Sequence, residues 1–394
     1  MRVLSIFGTR PEAIKMAPLL ARLAREPAID SYVVSTGQHQ AMLNQVLSLF
    51  GIRPDRDLKV MQPDQTLNGL TSRLIERIDA TLERFRPDRV LVHGDTTTAM
   101  AAAVAAFHRR IAIGHVEAGQ RTYDVRQPWP EEMNRRIVDV ASDLLFAPTE
   151  RSRTNLAGER LNGRIIVTGN TVIDALQETV ARIEGDASLR ARLAADLPAI
   201  APNRRLLLVT GHRRESFGGG FEAICDALGI LARRDDITIV YPVHLNPNVR
   251  DIVYARLGGR ENVHLQEPLD YGRFVYLMSR AHVVLTDSGG VQEEAPALGK
   301  PVLVMRDVTE RPEAVEAGTV QLVGTDSRRI VTAVERLYDS DALWRSFARK
   351  ANPYGDGRAS ERIVDTLVGR EVTEFDPART IGLPAVRAVS GLPR

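Results

Sequence analysis

Short runs of apolar, largely β-branched residues alternate with longer amphipathic stretches along most of this sequence. Several of the short runs are apolar without alternation, which is typical of parallel strands buried on both faces. The longer stretches, such as 12–25 and 67–85, repeat their apolar positions with the period of a helix. Strands and helices in regular alternation predict an α/β fold with doubly wound parallel sheets.

The predicted strands form two sets, one in each half of the chain. The first set comprises 3–7, 32–36, 89–93, 111–116, 144–147 and 165–168. The second set comprises 206–210, 237–241, 263–266, 283–286, 302–305 and 320–323. The stretch 186–203 has little strand pattern, and we interpret it as the passage between the halves. We therefore expect two Rossmann-like domains that face each other across a cleft, as in GT-B glycosyltransferases and their relatives.

The same pattern suggests where each domain begins and ends. We place the N-terminal domain at 1–170 and the C-terminal domain at 171–358. A helical pattern over 359–372 is expected to rejoin the N-terminal domain. Residues 376–394 are rich in proline, glycine and arginine without periodicity, which is typical of a mobile tail.

Composition fits this picture and excludes several classes of function. A chain of 394 residues is long enough for two cores, and its 44% hydrophobic and 26% charged residues are ordinary for a globular protein. A net charge of +2 argues against a large nucleic-acid or membrane surface. The single cysteine, Cys225, cannot form an internal disulfide. The sequence shows neither a signal peptide nor a long apolar span, so we expect a cytoplasmic protein without membrane insertion.

Basic residues follow the first predicted strand. Ligands of parallel sheets bind beyond the carboxyl ends of strands, where helix N-termini attract anions. Arg10 carries a planar fork that suits phosphate oxygens, and Lys15 lies in the first turns of the next helix. The segment indicates a phosphate site, with a tight turn that bears two solvated cations as the alternative.

Three acidic residues fall where the same edge of the sheet is expected. Asp95 and Glu117 each follow a predicted strand, and Glu131 follows a proline that can open a helix. Each has a structural alternative, because Asp95 can cap a helix and glutamates favour the first helical turn. Three carboxylates at one edge would shift each other's pKa values, which favours acid–base catalysis.

A histidine leaves the first strand of the second half. His212 is followed by two arginines, and its near-neutral pKa would suit proton transfer or a hydrogen bond to a departing phosphate. A lone histidine is equally well explained as structural.

The segment 285–294 is the most specific motif in the chain. There a strand ends in Ser288, Gly289 and Gly290 and turns into a helix, so a hydroxyl and backbone amides can face a diphosphate. Glu294, one turn later, can accept hydrogen bonds from both ribose hydroxyls. A plain strand–helix turn is the alternative.

No motif points to a cofactor. A dinucleotide site would place G-x-G-x-x-G directly after a strand. The only comparable run, 218–220, follows a polar loop, so nothing indicates NAD. We expect no cofactor and no metal.

Taken together, these segments resemble the non-hydrolysing UDP-N-acetylglucosamine (UDP-GlcNAc) 2-epimerases of bacteria. The resemblance runs in order from residue 1 to about residue 368 and leaves only the tail outside. The motifs that carry it are GTRPE at 8–12, HGDTT at 93–97, HVEAG at 115–119, PEE at 130–132, HRRE at 212–215, DSGG at 287–290 and TERPE at 309–313.

The resemblance implies reversible epimerisation at C2 of UDP-GlcNAc to UDP-N-acetylmannosamine (UDP-ManNAc), without NAD or a required metal. In that family the C2 proton is abstracted while UDP leaves C1, which gives a glycal. UDP adds back after C2 is reprotonated on its other face. The product would supply ManNAc units for surface polysaccharides, and a homodimer is expected.

Site residues follow from the resemblance as well. Asp95, Glu117 and Glu131 would form the acid–base set, and His212 would stabilise the diphosphate. The residues implied to contact the substrate are Arg10, Lys15, Asp95, Glu117, His212, Leu269, Phe274, Ser288, Gly289, Gly290, Glu294 and Arg311. Leu269 and Phe274 would hold uracil, although periodicity alone favours a core position for Phe274. Which carboxylate takes the C2 proton stays open.

The sequence departs from the family pattern near the sugar. Gln120 and Tyr123 stand where the family usually has leucine and glycine. Many bacterial members also bind a second UDP-GlcNAc as an activator. The residues implied for such an allosteric site are Gln38, Gln65, Arg213 and His244. Ala41 stands where a glutamine is common.

Three other functions compete with epimerisation. A GT-B glycosyltransferase would share the fold and the diphosphate site but needs an acceptor groove and usually a single base. A hydrolysing 2-epimerase would release UDP and free ManNAc, and Gln120 and Tyr123 could favour it by altered packing. A catalytically silent UDP-sugar sensor would have lost an acidic residue, whereas all three are present. We therefore favour the epimerase.

Overall fold

A computed structural model describes residues 1–37, 40–213, 215, 217–348 and 350–380, with only the backbone described for residues 40–42 and 380. Gln38, implied in the activator site, and residues 381–394 of the expected tail lie outside the described residues. The described chain divides into two compact units. Unit 1 comprises Met1–Ala175 and Tyr354–Asp376, and unit 2 comprises Leu176–Pro353 together with the short 3-10 helix Pro377–Thr380. The domain boundaries expected from the sequence, at 170 and 358, stay a prediction.

Strands and helices alternate in the first part of the chain. They are β1 (Arg2–Phe7), α1 (Arg10–Leu23), β2 (Asp30–Ser35), α2 (Gln40–Phe50), β3 (Arg56–Asp57), α3 (Leu67–Phe85), β4 (Arg89–His93), α4 (Thr97–His108), β5 (Ala112–Val116), α5 (Glu131–Ala141), β6 (Leu144–Ala147), α6 (Glu150–Gly158), β7 (Arg164–Val167) and α7 (Thr171–Gly185).

The alternation continues to the end of the described chain. The remaining elements are α8 (Ala187–Ala195), β8 (Arg205–Thr210), α9 (Gly219–Leu231), β9 (Ile237–Pro242), α10 (Pro247–Leu257), β10 (Val263–Gln266), α11 (Tyr271–Arg280), β11 (Val283–Thr286), α12 (Gly289–Ala297), β12 (Val302–Val304), α13 (Pro312–Glu316), β13 (Val320–Leu322), α14 (Ser327–Asp339), α15 (Asp341–Ala348) and α16 (Ala359–Leu367).

Each unit is built on one parallel sheet. In unit 1 the strand order is β3-β2-β1-β4-β5-β6-β7, and in unit 2 it is β10-β9-β8-β11-β12-β13. Every pairing in the two sheets is parallel. The expected class, two Rossmann-like α/β units of the GT-B type, is confirmed. The carboxyl ends of the strands therefore meet at one edge of each sheet, which is where ligands of such folds bind.

The predicted strands are all present, with ends that differ by two residues at most. β3 was not predicted, because Arg56–Asp57 is a two-residue polar edge strand without an apolar run. The stretch 186–203, expected to be a passage, contains α8, which packs against α11 inside unit 2. α16 packs against α1 in unit 1.

Close packing in the core explains one glycine of β5. A Cβ atom on Gly114 would lie 2.6 Å from Leu91 Cδ2 on the neighbouring strand, so only glycine fits there. Burying a leucine-sized side chain contributes about 1.5–3 kcal/mol, and the central strands of both sheets bury one such chain after another. The strand ends are therefore held on a rigid frame.

Within the described residues no helix is both long and apolar enough to cross a membrane.

Candidate active site

Glu117 is the most heavily bonded carboxylate at the carboxyl edge of the unit 1 sheet. Lys15 Nζ donates to both of its oxygens at 2.7 and 2.6 Å. His93 Nε2 lies 2.9 Å from Glu117 Oε2. Gln120 Nε2 and Asn170 Nδ2 donate to Glu117 Oε1 at 2.8 and 3.2 Å. Four side chains from four segments thus converge on one buried carboxyl group.

The surroundings of Glu117 favour its ionised form. Burial alone would raise its pKa, but the charges of Lys15 and His93 outweigh burial and hold the pKa well below its usual value. Its backbone lies in the left-handed region at φ +67°, which costs a non-glycine residue roughly 1–3 kcal/mol. The surrounding bonds hold the side chain in place despite this strain. A carboxylate of this kind is a fixed anion and a weak base.

Asp95 has a different environment. Thr96, not Asp95, caps α4, because Thr96 Oγ1 accepts from the amide of Ala99 at 3.0 Å. The Asp95 carboxylate pairs instead with Arg135 of α5, and Asn134 Nδ2 donates to the Asp95 carbonyl at 2.9 Å. The helix-cap explanation of Asp95 is therefore wrong. Its half-buried carboxylate is paired with Arg135 instead of with the helix N-terminus.

Glu131 is the first residue of α5 and is half-buried. The residue before it, Pro130, provides no side-chain cap for the helix. One carboxylate oxygen of Glu131, Oε2, is buried and has no hydrogen-bond partner among the described residues. Glu131 thus has a buried acceptor that no described residue occupies.

The loop after β1 is tied to the loop after β4. The amides of Gly8 and Thr9 donate to Glu12 Oε2 at 3.0 and 2.7 Å, and Thr96 Oγ1 donates to Glu12 Oε1 at 2.7 Å. Burial raises the pKa of Glu12, against the opposing effect of these hydrogen bonds. Arg10 is half-buried at the first residue of α1. Lys15, which we expected to face substrate, is bound to Glu117.

In unit 2 a buried aspartate positions His212. Asp287 Oδ2 accepts from the backbone amides of His212 and Arg213 at 2.7 Å each, and Asp287 Oδ1 lies 3.2 Å from His212 Nδ1. Burial opposes the ionisation of Asp287, but these contacts lower its pKa overall. Since the carboxylate faces Nδ1, the other ring nitrogen, Nε2, is directed elsewhere. The His212 side chain is 44% exposed, so its ring can reach a ligand.

Ser288 is the N-cap residue of α12 and uses its side chain for no cap. A Cβ atom on Gly289 would lie 2.9 Å from Glu310 Oε1, so glycine leaves this side chain its present place. Gly290 is exposed at the start of the helix. Farther along α12, Glu294 Oε1 accepts a hydrogen bond from the Tyr271 hydroxyl of α11 at 2.9 Å. The N-terminus of α12 therefore offers donors for an anion beside an oriented carboxylate.

The remaining predicted ligands of unit 2 occupy three places. Arg311 pairs through Nε with the buried Glu293 and begins α13 as its N-cap residue. Leu269 and Phe274 are half-buried near the start of α11. The periodicity of the sequence favoured a core position for Phe274, but its side chain is only half-buried.

The residues implied for the activator site divide between the units. Gln65 in unit 1 accepts from Arg73 and from the amide of Gln62. In unit 2, Arg213 donates to Glu310 at 2.8 Å, and the His244 ring stacks on His212 with centroids 5.7 Å apart. Unit 2 thus brings two of these residues next to the His212 segment.

Two further features bear on chemistry. No group of three or more His, Cys, Asp or Glu side chains in the described residues has the arrangement of a metal site.

The sequence did not indicate Asn170, Tyr271 and Gln120 as contacts of the predicted carboxylates. Asn170 could have been found, because it follows β7 at the edge already expected to bind ligands. The contacts of Tyr271 and Gln120 depend on side-chain directions that no local pattern encodes.

Comparison with known proteins agrees with this geometry. The family model described as UDP-N-acetylglucosamine 2-epimerase matches residues 21–368. The UDP-N-acetylglucosamine 2-epimerase of Escherichia coli K12 is 55% identical over 375 residues, which cover 95% of this chain and 100% of the relative. The crystal structure of UDP-GlcNAc 2-epimerase from Neisseria meningitidis bound to UDP-GlcNAc superposes with a TM-score of 0.86 at 49% identity, and covers 94% of this chain and 100% of that one. The Methanocaldococcus jannaschii UDP-GlcNAc 2-epimerase in complex with UDP-GlcNAc and UDP gives a TM-score of 0.76 at 32% identity, with 94% and 100% covered.

Proposed function

Because the chain belongs to the non-hydrolysing UDP-N-acetylglucosamine 2-epimerase family, which interconverts UDP-GlcNAc and UDP-ManNAc, we propose a division of labour among its site residues. Asp95, Glu117 and Glu131 handle the protons and charge at the sugar. His212 and the N-terminus of α12 bind the diphosphate. No cofactor is needed, because C2 exchanges a proton and not a hydride.

Glu131 is the group that exchanges the C2 proton. The observation that carries this assignment is its buried carboxylate oxygen, which has no partner among the described residues. A general base must have a lone pair free to meet the proton. Glu117 fits that role poorly, because Lys15, Gln120 and Asn170 donate to it and its surroundings favour the ionised form. It serves instead as a fixed negative charge that stabilises positive charge developing at C1 as UDP leaves. Asp95, paired with Arg135, handles the proton on the opposite face.

His212 stabilises the departing UDP. Asp287 Oδ1 lies beside Nδ1 of the ring, so Nε2 is the nitrogen that donates to a phosphate oxygen. Ser288, Gly289 and Gly290 offer a hydroxyl and amides for the diphosphate, assisted by the dipole of α12. Glu294 binds the ribose hydroxyls, and Leu269 and Phe274 hold uracil. Arg10 and Arg311 complete the set of cations that face phosphate or substrate.

The decisive experiment follows the C2 proton. The purified protein is incubated with UDP-GlcNAc in deuterated water, and the products are analysed by NMR and mass spectrometry. We expect UDP-ManNAc and UDP-GlcNAc that both carry deuterium at C2, and we expect Glu131→Gln to lower that incorporation at least a hundredfold. Glu117→Gln serves as the comparison, since it should retain incorporation better than Glu131→Gln. Free ManNAc with UDP would indicate hydrolysis instead, and no turnover without an acceptor would indicate a transferase.

The protein acts as a homodimer through the outer face of α4 and α5. Three of its most exposed large apolar side chains, Phe107, Met133 and Val140, lie on these helices at 60%, 52% and 70% exposure. They line a groove of about 480 Å³ whose walls are largely apolar. An apolar surface of this kind marks an interaction site. A second copy of the chain is the partner that we propose.

Activation by a second UDP-GlcNAc is a separate proposal. Arg213 and His244 lie beside His212, so a ligand bound to them would contact the residue that stabilises the diphosphate. Sigmoidal dependence of the initial rate on UDP-GlcNAc, abolished in His244→Ala, would support it. A hyperbolic rate curve in the unaltered protein would contradict it. The cytoplasmic location stays a prediction.

A further inference from the structure

A chain of buried polar contacts in unit 1 begins beside Asp95. His115 Nε2 lies 2.7 Å from the carbonyl oxygen of Gly94, the residue before Asp95. The other ring nitrogen, Nδ1, lies 2.6 Å from Asp139 Oδ1 on α5. His115 therefore bridges the turn after β4 and the helix that begins with Glu131. Each ring nitrogen thus has an oxygen within hydrogen-bond distance.

The same chain ends beside Glu117. Asp139 Oδ2 accepts from Arg121 at 2.6 Å, and Arg121 also donates to both carboxylate oxygens of Glu159 at 2.7 and 2.8 Å. A further nitrogen of Arg121 donates to the backbone carbonyl of Gln120 at 2.7 Å. The Gln120 side chain in turn donates to Glu117. The turn before Asp95 and the segment after Glu117 are thus connected through Asp139.

The charges in this chain are costly to bury. The side chains of His115, Asp139 and Arg121 are fully buried. Burial raises the pKa of Asp139, but His115 and Arg121 outweigh that effect and lower it overall. Burial lowers the pKa of Arg121, yet its hydrogen bonds and charges to Glu159 and Asp139 raise it overall. Buried ion pairs contribute little net stability compared with apolar packing, so stability alone does not account for this arrangement.

We propose that His115, Asp139 and Arg121 are positioning residues for the epimerisation, which fix Asp95 and Glu117 relative to each other. This inference rests on the proposed function. None of the three side chains needs to touch substrate, because His115 and Arg121 act through the backbone carbonyls of Gly94 and Gln120, and Asp139 acts through His115 and Arg121. Loss of one link should loosen the two carboxylates while leaving the fold and the nucleotide-binding residues of unit 2 unchanged. Misplacement by about 1 Å can cost two orders of magnitude in rate.

The test is Arg121→Lys in the full chain. Lysine keeps a positive charge near Asp139 and Glu159, but it lacks the fork that also holds the Gln120 carbonyl. We expect kcat and the rate of C2 deuterium incorporation to fall together at least tenfold, while KM and the affinity for UDP stay within twofold. Arg89→Lys is the matched control, because Arg89 binds both oxygens of Asp143 at the opposite, amino-terminal edge of the same sheet. We expect it to keep full activity.

The outcomes separate positioning from a purely structural role. Binding of UDP, measured by calorimetry, counts the correctly folded molecules. If the activity of Arg121→Lys per UDP site equals that of the unaltered protein, the proposal is overturned. Should this variant not fold, Gln120→Ala breaks the half-buried last link, and unchanged kcat there would refute the proposal equally. If the unaltered protein itself exchanges no C2 deuterium, the proposed function has failed, whatever the variants do.

Discussion

Replacement of Lys15 by methionine tests how Glu117 is held. The Lys15 ammonium contacts both Glu117 oxygens, and the two side chains are only 18% and 6% exposed. Removing one partner of a buried ion pair costs about 3–5 kcal/mol, because the other charge stays buried without it. Gln120 and Asn170 still donate to Glu117, and His93 Nε2 lies 2.9 Å from it, which favours the lower value, about 3 kcal/mol. For a unit of this size that loss lowers Tm by roughly 6–12 °C.

The pH dependence of this loss has a defined sign. The pKa of Glu117 is lower in the folded protein than in the unfolded chain, so its pairing stabilises the fold above the unfolded pKa of about 4.3. That stabilisation disappears as the pH falls through the lower folded pKa. The difference in Tm between Lys15→Met and the unaltered protein should be constant from pH 8 to pH 5 and shrink below about pH 4.3.

Differential scanning calorimetry across this pH range provides the measurement. Lys59→Met is the matched control, because Lys59 is exposed in the same unit and the chemical change is identical. We expect its effect to lie within about 0.5 kcal/mol, as for most surface substitutions. A Tm of Lys15→Met equal to that of Lys59→Met would refute the reasoning, as would a difference that grows towards acid pH.

Two other predictions concern the nucleotide site and the outer face of unit 1. Tyr271→Phe removes the hydroxyl that orients Glu294. We expect KM for UDP-GlcNAc to rise about tenfold with little change in kcat. A tenfold change corresponds to about 1.4 kcal/mol, which is typical of a hydrogen bond to a charged group. Tyr276→Phe on the same helix, which alters a contact with Arg280 only, is its control, and equal kinetics of the two variants would contradict the assigned role. Val140→Glu places a charge in the apolar groove of α4 and α5, so light scattering should show the mass of a single chain. An unchanged dimer would place the interface elsewhere.

The order of strands and helices could be predicted because buried parallel strands leave a strong pattern. β4, β6, β10 and β11 begin and end at the predicted residues, and β4, β6 and β11 each contain a run of three or more apolar residues. β3 could not be predicted, because two polar residues at a sheet edge carry no hydrophobic signal. The hydrophobic pattern thus shows which strands are buried, and it misses an edge strand that pairs without being buried.

The candidate site was predictable in its positions and not in its contacts. Parallel topology brings the residues that follow β4 and β5 to one edge, so Asp95 and Glu117 could be placed near each other from strand ends alone. The sequence did not indicate that Lys15 pairs with Glu117, because these residues are 102 positions apart and either could equally face solvent or substrate. The chemical roles of three similar carboxylates differ through such long-range partners.

The arrangement of α5 explains why its importance was hard to see in the sequence. In most surface helices the apolar side faces the protein and the polar side faces water. α5 directs Asn134, Arg135 and Asp139 inward, where each is bonded to a segment of the site. It leaves Met133 and Val140 exposed. These three buried polar side chains are tolerated because each has a charged or hydrogen-bonding partner. Since Glu131 is the first residue of the same helix, a partner that shifts α5 by binding its exposed apolar side would also shift this carboxylate.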